Sequence, residues 1–149
     1  MYYRGKRTPV GPLRSTKSRS RAKGADDSVV PATGLALAGI ASACIDVSDG
    51  LTGDLRKLLE ASGVGADLNL DALPLSDAMS AAFDEDVARR FAATGGDDYE
   101  LCFTSAQSVP PEIAGVPVTA IGTVNEGDRL VCRSAGAIVE VDDSGYRHF

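Results

Sequence analysis

Leu51, Leu55, Leu58 and Leu59 stand at i, i+4, i+7 and i+8, directly behind an apolar run at 43–47. That spacing draws one buried face of an amphipathic helix. The run before it, with Cys44, Ile45 and Val47 apolar, reads as a strand. Ser48 or Asp49 is the expected cap between the two, and Gly63 the expected C′ residue at the far end. Ala66–Leu70 then alternates like a half-buried strand. Ser76 should cap a second helix reaching Phe83, and Asp84 a third that places Val87 and Phe91 on one side and ends at Gly95-Gly96. Tyr99–Thr104, Val118–Val124, Arg129–Arg133 and Ala137–Val141 read as further strands, with a turn at Asn125–Asp128. Val109–Pro117 carries three prolines and reads as a loop. Gly34–Ile40, apolar and alanine-rich, reads as a short buried helix. Strands, then helices, then a run of strands predict an α+β domain, its helices on one face of a mixed or antiparallel sheet.

At 149 residues the chain fits one domain that buries about 68–70% of its unfolded surface. No apolar stretch approaches the 18 or so residues of a membrane helix. No apolar core follows the basic N-terminus as in a secretory signal, so the expected compartment is the cytoplasm. Cys44, Cys102 and Cys132 are widely spaced and form no CxxC, which argues against zinc. All three read as small buried or half-buried side chains.

The net charge of −6 conceals a split. Residues 1–23 hold eight of the fifteen Lys/Arg and no acid, while the rest holds all 21 acids and seven Lys/Arg. Residues 1–33 therefore read as a basic, disordered leader ahead of a domain at 34–149. A nucleic-acid or membrane-surface arm is the alternative, but the acidic remainder does not suit nucleic acid and does suit divalent cations.

Two acidic corners carry the chemistry. In Ile45-Asp46-Val47-Ser48-Asp49-Gly50-Leu51, residues 46 and 48 point the same way along a strand and Asp49 lies at the helix start. Carboxylates there attract Mg²⁺, and a helix N-terminus attracts phosphate. In Gly95-Gly96-Asp97-Asp98-Tyr99-Glu100-Leu101, glycines allow close backbone approach and adjacent carboxylates need a cation or hydrogen bonds. Read singly, the first corner is an N-cap at Ser48 or Asp49 with Asp46 in a turn, and the second a helix C-cap followed by a solvated acidic turn. The terminal Gly145-Tyr146-Arg147-His148-Phe149 reads as a strand end, a frayed tail or a stacking surface for a flat ring.

Four segments, Ala43–Leu51 (ACIDVSDGL), Ala66–Leu75 (ADLNLDALPL), Thr94–Phe103 (TGGDDYELCF) and Gly145–Phe149 (GYRHF), resemble in order and separation the C-terminal half of thiamine-monophosphate kinase. Its relatives, the aminoimidazole-ribonucleotide synthetase group, share the general fold. The resemblance implies Mg²⁺-dependent transfer of the ATP γ-phosphoryl group to thiamine monophosphate, giving thiamine diphosphate. It implies Asp46 and Asp49 as Mg²⁺ ligands, Ser48 as a nucleotide contact, Asp97 at the thiamine phosphate and Tyr146 beside its ring. It implies no catalytic nucleophile or base, because positioning and the metal supply catalysis. The family is about twice as long as this chain, and its N-terminal domain supplies further metal ligands and the main dimer contact. A homodimer or a separate N-terminal half is thus the implied partner. Gly24–Val30 resembles the family's N-terminal metal motif only faintly, Arg147 replaces a usual Asp, and Ala38 a common Arg. A truncated gene, a frameshifted start or a gene fragment would each produce this pattern. The alternatives are a non-catalytic ATP- or metal-phosphate-binding fragment and a sister phosphotransferase with another substrate.

Overall fold

The computed structural model describes residues 12–15, 34–96 and 100–141, and of 12–15 only the backbone pairing. In chain order the elements are β1 (Pro12–Ser15), β2 (Ala43–Val47), α1 (Leu51–Ser62), β3 (Gly65–Asn69), a 3-10 turn (Leu70–Ala72), α2 (Asp77–Ala82), α3 (Glu85–Thr94), β4 (Glu100–Thr104), β5 (Glu112–Ile113), β6 (Val116–Pro117), β7 (Thr119–Asn125), β8 (Leu130–Ser134) and β9 (Ala137–Val139). Seven strands form one sheet in the order β2-β4-β1-β7-β3-β8-β9. Every neighbouring pair is antiparallel except β3 with β8. The chain is α+β with a mixed sheet, as its patterning predicts.

Alternation along the strands divides two cores between the two faces. On the helical face Leu51, Leu55, Leu58 and Leu59 of α1 pack with Val47, Ala66, Leu68, Cys102 and Ile121. On the other, Leu101 and Phe103 of β4 meet Leu37, Ile113 and Val118. Ser76 caps α2 through Met79 N–H, and Gly63 ends α1 with a left-handed φ of 66°.

Five details depart from the sequence reading or add to it. Pro12–Ser15 lie in the leader expected to be disordered, yet they pair with β4 on one side and β7 on the other. The tetrapeptide has weak strand propensity, and two flanking ladders override it. Among the described residues the Gly34–Ile40 segment is helical only at 34–36, and exposed there; Leu35 faces solvent and Leu37 alone is buried. So short a run, with Gly39 at φ 84°, cannot propagate a helix. On α3 the inward residues are Ala88, Ala92 and Ala93, whereas Val87 and Phe91 face out, Phe91 with its ring 5.2 Å from Phe83. Part of Val109–Pro117 is a hairpin rather than a loop, Glu112–Ile113 pairing with Val116–Pro117. Both strands of such a ribbon are edges, where proline is tolerated. Cys44 is exposed rather than buried, because β2 is an edge strand of the sheet and Cys44 alternates away from the helical core.

Candidate active site

The first acidic corner and the described parts of the second, 95–96 and 100–101, are neighbours. β2 and β4 run antiparallel with Asp46 opposite Leu101 and Val47 opposite Glu100, so the end of one strand meets the start of the other. Backbone contact closes the junction. A Cβ on Gly50 would lie 2.5 Å from Thr94 O, and one on Gly96 would lie 2.5 Å from Ser48 O. Gly50 also has φ 118°, a conformation that side chains resist. Behind them the buried Thr52 hydroxyl donates to Ala93 O at 3.2 Å. The first turn of α1 and the last turn of α3 are thereby locked together.

Val47 and Ile45 turn toward the helical core, and Asp46 alternates to the opposite, exposed side. Ser48 and Asp49 are exposed in the turn before α1. Neither caps the helix: the N-cap is Gly50, which contributes no side-chain bond. The capping carboxylate comes instead from inside the helix. Asp54 Oδ2 accepts from Ser48 N–H at 2.8 Å and Asp49 N–H at 3.0 Å. Those two amides are therefore not free for an anion, as a bare helix start would leave them. Oδ1 of the same side chain accepts from Lys57 Nζ at 2.8 Å, and Lys57 also reaches Asp49 Oδ2 at 2.9 Å. Burial pushes the Asp54 carboxyl up, but hydrogen bonds from Lys57 and the two amides outweigh it and hold the group below its ordinary range. The two carboxylates raise Lys57 far above a usual lysine.

Sequence reasoning missed Asp54 and Lys57. The clue was a carboxylate at position 54 on the leucine stripe of α1: an acid among buried leucines needs partners of its own. Asp97, Asp98 and Tyr99, and all of 142–149 including Tyr146, lie outside the described residues, so the contacts expected of Asp97 and Tyr146 do too.

Among the described residues no three His, Cys, Asp or Glu side chains gather as a metal cage. Mg²⁺ does not require one, since it binds through one or two carboxylates plus phosphate oxygens and water. Asp46 and Asp49, both hard oxygen donors and both open to solvent, fit that mode. The second polar cluster is structural. Asp71 accepts from Arg89 at 2.8 Å, Ser134 at 3.0 Å and Ala135 N–H at 2.7 Å. It ties the 3-10 turn to α3 and to the β8–β9 turn.

Residues 28–134 match the family model for the AIR synthase related protein, C-terminal domain. Thiamine-monophosphate kinase of Salmonella typhimurium is 47% identical over 125 residues, 78% of this chain and 38% of that protein. The crystal structure of thiamine-monophosphate kinase from Stenotrophomonas maltophilia K279a is similar with a TM-score of 0.59 at 36% identity, over 71% of this chain and 35% of that one. A structure of AaThiL complexed with AMPPCP and TMP matches with a TM-score of 0.66 over 93% of this chain and 51% of that one; at 24% identity that likeness speaks for the fold. The chain thus spans 38% of the length of the Salmonella relative. No helix among the described residues is long and apolar enough to cross a membrane.

Proposed function

Because the chain belongs to the AIR synthase related protein, C-terminal domain family, we propose that it is the C-terminal part of a thiamine-monophosphate kinase. The reaction is ATP-dependent phosphorylation of thiamine monophosphate to thiamine diphosphate, in the cytoplasm. The observation that carries the reading is the 47% identity to a thiamine-monophosphate kinase over 125 residues. The junction of the two corners supports it. Phosphoryl transfer to an ionised phosphate oxygen needs no general base, only positioning and charge neutralisation. Asp46 and Asp49 hold Mg²⁺ with the nucleotide phosphates, and the metal supplies that neutralisation. Ser48 contacts the nucleotide. Its place is fixed from behind by Asp54, so the corner is organised before ligand arrives. Asp97 contacts the thiamine phosphate, and Tyr146 packs on the cationic thiazolium, an attraction of ring face and charge.

The protein partner of this reading is a second copy of the chain or an N-terminal half of the kind its relatives have. A second reading is a non-catalytic ATP- or metal-phosphate-binding fragment of the same family. The test is formation of thiamine diphosphate from ATP, Mg²⁺ and thiamine monophosphate, with the chain alone and with an added N-terminal domain from a relative. Product in either mixture, lost in Asp46→Asn, supports the kinase reading. No product in both, with nucleotide binding retained, leaves the fragment reading.

A further inference from the structure

Lys57 is shared between two carboxylates that differ sharply in their freedom. Asp54 is 3% exposed at its side chain and is pinned by two backbone amides as well as by Lys57. Asp49 is 69% exposed and among the described residues has Lys57 alone. An exposed ion pair is weak and easily exchanged, whereas a buried carboxylate cannot give up its cation without leaving a charge unpaired. The half of the bridge that can open is therefore Lys57–Asp49. A divalent cation on Asp49 would meet the lysine charge across one carboxylate, and like charges at that range repel.

We propose that Lys57 is the resident counter-ion of the corner, holding Asp49 until a divalent cation takes that carboxylate, and staying anchored on Asp54 throughout. The inference rests on the reading of Asp49 as a cation ligand. It makes Lys57 a residue that sets cation affinity by competition. It also explains why a solvent-facing carboxylate is held in one place before ligand binds: Lys57 is three residues from Asp54 on α1, so its reach is fixed by the helix.

The test is calorimetric titration of the full chain with MnCl₂ alone, at low ionic strength and without nucleotide. Removing the competitor in Lys57→Met should tighten Mn²⁺ binding about two- to fivefold, the worth of an exposed pair. Lys57→Arg keeps the charge and should bind like the parent. Equal or weaker binding by Lys57→Met overturns the proposal while leaving Asp49 a ligand. A gain in Lys57→Arg equal to that in Lys57→Met also overturns it, since charge would not be the cause. If the parent binds no Mn²⁺ and Asp49→Asn changes nothing, the metal reading falls and the exchange falls with it.

Discussion

Asp54 is the residue on which the corner's shape depends. Its carboxylate closes the turn by taking the amides of Ser48 and Asp49. Asp54→Ala would leave both amides beside a 2%-exposed site without an acceptor, costing about 1–3 kcal/mol; urea unfolding measures it. Burial raises this carboxyl, and its hydrogen bonds more than reverse that, so its folded pKa lies below its unfolded value. The sign follows: its stabilisation is complete above the unfolded carboxyl pKa near 3.9 and is lost as pH falls through the folded pKa. Unfolding free energy measured in acid should fall more steeply for the parent than for Asp54→Asn. The cysteines divide by the same logic of burial. Burial pushes the Cys102 thiol up to about 12, and Cys132 is buried with it, while Cys44 is exposed. A colorimetric thiol reagent at neutral pH should modify one cysteine in the native protein and three after denaturation. Two fast native thiols would contradict the packing of β4 or β8.

Helix α1 and helix α3 show which element-level features a sequence makes readable. The leucine stripe of α1 gave the right face because large apolar residues at helical spacing have one place to go. Leu55 has no exposed surface, so Leu55→Ala should cost about 2–5 kcal/mol. On α3 Val87 and Phe91 do share a side, but it is the outer one. Its inner face abuts α1 closely enough for Thr52 to bond Ala93 O, leaving room for alanine only. Phe91→Ala, at a half-exposed ring, should therefore cost well under the Leu55 figure, whereas Ala92→Leu should overpack the interface by about 1–3 kcal/mol. Denaturant titrations of the three variants check the order. Strands β2, β3, β4, β7, β8 and β9 were legible within a residue or two because alternation is a local property, whereas β1 and the β5–β6 hairpin were not. The meeting of the two acidic corners was not, since it depends on the β2–β4 register and on two glycines across a gap of more than forty residues. The helical position of Asp54 marked it, but two of its three partners are backbone amides, which leave no mark in composition.

At the scale of the whole molecule the least legible element is an interior strand of the sheet. Pro12-Leu13-Arg14-Ser15 sits in a basic, aperiodic stretch that composition assigns to a solvated leader. In the sheet it lies between β4 and β7, with Leu13 opposite Thr104 on one side and Gly122 on the other. Without it the sheet separates into β2-β4 and β7-β3-β8-β9, and both inner strands gain a bare edge of unpaired amides and carbonyls. β4 carries Phe103, fully buried, and its start adjoins the acidic corner, so the loss would reach the site as well. Total stability of a domain this size is about 5–15 kcal/mol, and a central strand is a large share of it. Deleting residues 1–15 should therefore abolish the cooperative thermal transition and, with it, the cation binding proposed for Asp46 and Asp49. Leu13→Pro, which removes one ladder donor from a central strand, should lower the melting temperature without preventing folding. A solvated leader predicts the opposite for both: the truncated chain would melt at the midpoint of the parent, and Leu13→Pro would be silent. Calorimetry on the three proteins separates the two cases, because a strand paired on both sides cannot be removed without a change in unfolding enthalpy.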